Sequence, residues 1–108
     1  MKAAVIRNYG KIALEEVAKP KLQDKNVLIK VKYASICGSD QHLFKGEFHP
    51  RTHLPHIPGH EFAGIVEAVG KEVKNFLPGE KVTVDPIIWC GKCAPCQVGH
   101  YPACITLK

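Results

Sequence analysis

The chain has 108 residues, which is enough for one domain with one modest core. Its 45% hydrophobic and 23% charged residues suit a folded globular chain and exclude a disordered one. The net charge of +5 is spread along the chain with no run of five or six basic residues, the pattern of a solvated surface and not of a nucleic-acid track.

In chain order, AAVIR (Ala3–Arg7) and IALEEV (Ile12–Val17) read as strands joined by a turn at Tyr9-Gly10-Lys11. In NVLIKVKYASI, Val27, Ile29, Val31 and Tyr33 alternate with Leu28, Lys30 and Lys32, which predicts a strand with one face buried. SDQHLFKG reads as one or two helical turns, capped by Ser39 and ended by Gly46. From Glu47 to Gly59 the prolines Pro50, Pro55 and Pro58 predict a loop. EFAGIVEAVG reads as a strand in which Gly64 marks a bulge or a close backbone approach. LPGEKVTVDP adds a Pro-Gly turn and a strand from Lys81 to Asp85. Many short strands with little helix predict a mainly β domain, a small irregular barrel. No G-x-G-x-x-G follows a strand and opens a helix, so the expected organisation is a single domain over 1–108 without a dinucleotide-binding unit.

No apolar stretch is long enough to span a bilayer, and MKAAVIRNYG lacks the apolar segment of a signal peptide. The expectation is a cytoplasmic chain with reduced thiols, so its five cysteines suit metal ligation better than a disulfide framework. Four of them are spaced Cys90-x2-Cys93-x2-Cys96-x7-Cys104. Short gaps let a tight turn aim successive sulfurs at one point. Four thiolates around zinc form a closed tetrahedron, a structural site with no open position. An iron–sulfur cluster is the competing reading, although the bacterial ferredoxin run ends x3-Cys-Pro, and here the last gap is seven and Ile105 follows. Unrelated buried thiols are the third.

The remaining cysteine lies in CGSDQH, with Ser39, Asp40 and His42 close behind Cys37, and PGHE brings His60 and Glu61 before the next strand. A thiolate, an imidazole and a carboxylate at strand ends suit a catalytic zinc with an exchangeable position. Spacing leaves a second reading open: a buried thiol, a satisfied turn histidine and a surface carboxylate, unrelated to one another.

CGSDQH, then PGHEFAGIVEAVG, then PGEKV and the four-cysteine loop, in that order, resemble the zinc-dependent medium-chain alcohol and polyol dehydrogenases. The resemblance covers nearly the whole chain and is to the N-terminal catalytic domain of that family, a GroES-like β-barrel. It implies that Cys37 and His60 hold a catalytic zinc, with Glu61 as a third or intermittent ligand. It implies that Ser39 meets the substrate alcohol oxygen and passes its proton on, that Asp40 holds the zinc-bound histidine, and that His42 relays the proton to solvent. It makes Cys90, Cys93, Cys96 and Cys104 ligands of a structural zinc. The implied reaction oxidises a secondary alcohol or sugar alcohol, through a zinc-held alkoxide, with NAD or NADP as hydride acceptor. The implied partners are a small-molecule alcohol or polyol and a cofactor domain that this chain lacks, so the chain alone is expected to be inactive in hydride transfer. Neither nucleic acid nor membrane is an expected partner, and self-association through an uncovered interdomain face is. Gly38 stands where some members carry an arginine for cofactor phosphate, and CGSD with GHEF is nearer the polyol branch. Two other classes compete: a non-enzymatic zinc-binding or assembly module, and a zinc-ribbon nucleic-acid binder.

Overall fold

The hairpin at the start of the chain forms where the apolar residues predict it. In a computed structural model, which describes residues 1–107, β1 (Lys2–Asn8) pairs antiparallel with β2 (Lys11–Glu16), and Ile6 lies opposite Ile12. The last residue of the expected 1–108 domain lies outside the described residues. A second sheet has the order β3-β4-β5, all antiparallel, with β3 at Val27–Ala34, β4 at Phe62–Val69 and β5 at Lys81–Thr83. The mainly β fold class is as expected. β2 and β5 end one and two residues before the expected Val17 and Asp85.

The alternation in β3 misleads about burial. Val31 is 51% exposed and Tyr33 80% exposed, so no buried face runs along this strand. Every residue from Lys30 to Ala34 is exposed, so neither face of this half of the strand is covered by the described residues, and the register also shifts between Leu28 and Ile29 and between Val31 and Tyr33. Gly64 faces the second irregular stretch. A Cβ there would meet the Lys30 carbonyl oxygen at 2.5 Å, so the two backbones approach closely, as the glycine predicts.

The core is small. Ile6 and Val66 are almost wholly buried, with Val5 beside Ile6 in β1. Ile6 also trades two backbone hydrogen bonds with His56, of 2.8 and 2.9 Å, which ties the hairpin to the proline-rich loop. The longest helix among the described residues, α1 (Gly38–Lys45), follows β3. Its N-cap is Cys37 and not the expected Ser39, because the Asp40 carboxylate at the third helical position accepts the Cys37 N–H at 2.9 Å. Gly46 ends it in the left-handed region at φ 84°, as expected. The turn of the hairpin presses on this end: Gly10 N–H donates to the Phe44 carbonyl at 2.7 Å, and the Tyr9 ring covers Gly46. Thus the β1–β2 hairpin clamps the helix whose first turn carries Ser39 and Asp40. Among the described residues no helix is long and apolar enough to cross a membrane.

Candidate metal centres

The cysteine loop is built from two short turns. α2 (Ala94–Gln97), with Pro95 in its first turn, and a 3-10 turn at Tyr101–Ala103 fold the chain back on itself. The sulfurs of Cys90, Cys93, Cys96 and Cys104 then lie within 4.8 Å of one another. Zinc–sulfur bonds of about 2.3 Å in a tetrahedron put sulfurs about 3.8 Å apart, so the set fits one ion. A multinuclear iron–sulfur cluster spreads its thiolates over several irons and demands wider spacing. All four are free thiols, and Cys93 and Cys96 touch at 3.4 Å without a disulfide.

Backbone amides aim at these sulfurs. Lys92 and Cys93 each donate to Cys90 Sγ at 3.4 Å, and Cys90 N–H donates to Cys104 Sγ at 3.3 Å. Such bonds favour the thiolate. They lower Cys90 to a pKa of about 6 and also lower Cys104. Burial and the neighbouring Cys93 push Cys96 up to about 12. A cation among the sulfurs would offset that cost, which is the chemistry expected of a thiolate site. Trp89, at the mouth of the loop, stacks on Tyr101 with ring centroids 4.5 Å apart.

The second group joins segments that the proline-rich loop separates. β3 runs out at Ala34 and delivers Cys37 to the start of α1, while His60 and Glu61 precede β4. Because β3 and β4 pair, with Ala34 opposite Phe62, their flanking residues meet. Cys37, His60 and Glu61 offer ligand atoms within 4.8 Å of one another. Sulfur, imidazole and carboxylate at that separation fit a zinc ion with room for a further ligand.

Ser39 and Asp40 stand around His60. Ser39 Oγ is 3.4 Å from His60 Nε2, and Asp40 Oδ1 is 3.6 Å from His60 Nδ1. Asp40 spans the site, since its other oxygen takes the Cys37 N–H. His42 sits one helical turn beyond Ser39, half in solvent, and its Nδ1 pairs with the Glu47 carboxylate. The sequence reading missed two groups. Glu47 is the partner of His42, signalled only by a carboxylate five residues on. Ser35 donates its hydroxyl to Glu61 Oε2 at 2.6 Å, a cross-strand contact with no sequence signal beyond lying two residues before Cys37. Hydrogen bonds from Ser35 and then Cys37 hold the Glu61 carboxyl below the ordinary carboxylate range.

The chain matches the model of the alcohol dehydrogenase GroES-like domain over residues 23–108. It is 41% identical over 108 residues to the sorbitol dehydrogenase of Bacillus subtilis, covering 96% of this chain and 30% of that protein. The crystal structure of the alcohol dehydrogenase rspB from Escherichia coli CFT073, complexed with NADH, superposes with a TM-score of 0.83 at 39% identity, over 100% of this chain and 31% of that one. Zinc dependent alcohol dehydrogenase 2 from Streptococcus pneumonia, in its apo form, gives a TM-score of 0.83 at 37% identity, over 98% of this chain and 30% of that one. The chain spans about three tenths of the length of the relatives it matches. A shared order of motifs, a shared fold and this degree of identity make one conclusion: the chain belongs to the alcohol dehydrogenase GroES-like domain family.

Proposed function

We propose that this chain is the zinc-binding catalytic domain of a nicotinamide-dependent alcohol or polyol dehydrogenase that oxidises a secondary alcohol or sugar alcohol. The observation that carries the reading is the convergence of Cys37, His60 and Glu61 within 4.8 Å from two separate segments. In this reading those three side chains hold the catalytic zinc, and Cys90, Cys93, Cys96 and Cys104 hold a structural one. A catalytic zinc, when bound, acts as a Lewis acid that makes an alcohol hydroxyl easier to deprotonate.

The chain's own residues supply the rest. Asp40 faces His60 Nδ1 and keeps the proton there, which leaves the Nε2 lone pair for the site. Ser39 Oγ, beside His60 Nε2, takes the proton of the substrate hydroxyl and gives up its own. His42 lies three residues on, one turn along the same helix face, and receives that proton. Glu47 holds His42 at Nδ1, so Nε2 is its exchanging nitrogen. The nicotinamide site belongs to the part of the parent protein that this chain does not span, and that cofactor domain is its partner. The parent works in the cytoplasm, where the thiols stay reduced. Tyr33 and Ile36, both over 80% or close to it in exposure, border the face expected to be covered in an assembled protein.

Zinc counting tests the reading. The chain should bind two equivalents, and Cys37→Ser should remove one while sparing the four-thiolate site. The full reading frame should oxidise sorbitol-type polyols with NAD or NADP, and lose that activity with Cys37→Ser. A single equivalent that Cys37→Ser leaves in place would overturn the assignment.

A further inference from the structure

His60 and Glu61 are adjacent in the chain just before β4, and both present a ligand atom within 4.8 Å of that of Cys37. A neighbouring group holds the Glu61 carboxylate there: the Ser35 hydroxyl donates to Glu61 Oε2 at 2.6 Å. A hydroxyl bonded to a carboxylate is among the shorter and stronger neutral-to-charged contacts. Its backbone is tied to the same residue, since Ser35 N–H donates to the Glu61 carbonyl at 3.0 Å and extends the β3–β4 ladder past Ala34 and Phe62. The pair is therefore set by sheet register, and not by a chance meeting of two long side chains. Ser35 and Glu61 also line one open cavity, together with His60, Tyr33 and Thr83.

We infer that Ser35 is a positioning residue for the metal centre: by occupying Oε2 it fixes the Glu61 carboxylate beside Cys37 and His60, so that Oε1 would be the oxygen left for a metal ion. Glu61 is exposed, so losing that bond, the stronger of its two hydrogen bonds, loosens its side chain toward solvent. The inference rests on the zinc reading of the Cys37, His60 and Glu61 group. It goes beyond that reading by assigning control of the third ligand to a residue outside the ligand set.

The test is zinc affinity of the chain, read by chelator competition, with the absorption spectrum of the cobalt-substituted protein as a second readout. Ser35→Ala should weaken the Cys37-dependent site about tenfold, the usual scale for a residue that holds a ligand, and leave the four-cysteine site unchanged. It should also shift the cobalt bands of the Cys37 site. Ser35→Thr keeps the hydroxyl and should restore both. In a Glu61→Ala background, Ser35→Ala should have no further effect on affinity. Unchanged affinity in Ser35→Ala, or an equal loss with and without Glu61, would overturn the inference, the second outcome meaning that Ser35 acts on the fold alone. If Cys37→Ser removes no equivalent in the same titration, the zinc reading itself fails and the role of Ser35 falls with it. If Cys37→Ser behaves as expected and Ser35→Ala is silent, only the role of Ser35 falls.

Discussion

His60 Nδ1 stands 3.6 Å from Asp40 Oδ1, and the same carboxylate caps the helix by taking the Cys37 N–H at 2.9 Å. One side chain thus ties the orientation of one proposed ligand to the backbone of another. Asp40→Asn keeps an acceptor for the Cys37 amide but removes the charge that faces His60. It should weaken the Cys37-dependent zinc site by about tenfold or more, with thermal stability nearly unchanged. A chelator titration of the variant against wild type decides this. Equal affinities would mean that Asp40 serves the helix cap only.

The cysteine loop has no apolar core of its own beyond its buried sulfurs, so removing its metal should unfold it locally. Binding to such sites is worth on the order of 10 kcal/mol. Trp89 is the chain's one tryptophan and stacks on Tyr101 across the loop, which makes it a direct reporter. Chelation, or Cys104→Ser, should change the tryptophan fluorescence while the far-ultraviolet dichroism of the strands persists. Fluorescence that stays the same after complete metal removal would show that the sulfurs hold the loop without an ion.

Gly46 is held at φ 84°, with the Tyr9 ring 2.8 Å from where a Cβ would stand. Gly46→Ala meets both a backbone and a steric penalty and should destabilise the chain by about 2 kcal/mol in urea unfolding. The cost should shrink in a Tyr9→Ala background, where only the backbone part remains. The clamped helix carries Ser39 and Asp40, so the variant should also weaken the Cys37-dependent zinc site.

Arg7 grips Glu15 across the hairpin, with Nε and Nη2 at 2.9 and 2.7 Å from its two oxygens. Hydrogen bonding to Arg7 holds Glu15 below its ordinary pKa. A carboxyl lowered in the folded state adds stability that is complete above its unfolded value and disappears as pH falls through the folded one. Arg7→Gln should therefore raise the Glu15 midpoint towards the ordinary value and flatten the acid side of the stability profile. Carbon NMR titration of the Glu15 carboxyl reads the shift. The ion pair is exposed, so the change in stability is small.

Local patterns in the sequence specify local structure well. The short x2 gaps keep Cys90, Cys93 and Cys96 close along the chain at the start of α2, so spacing favours their sulfurs meeting, and Cys104 returns to them after the turn at Tyr101–Ala103. Strand positions, the end of α1 at Gly46 and the close approach at Gly64 follow from residue type for the same reason. Long-range relations do not. CGSDQH and PGHE name the donors Cys37, His60 and Glu61, yet their meeting depends on how β3 pairs with β4 after a proline-rich excursion. The same pairing creates the Ser35–Glu61 contact, and Val31 and Tyr33 lie in solvent despite a regular alternation because, among the described residues, no other element packs over that end of β3. Composition and spacing thus determined which chemical groups this protein carries. Only the tertiary structure decided which of them touch, because strand register is set by packing between segments that no short window of sequence contains.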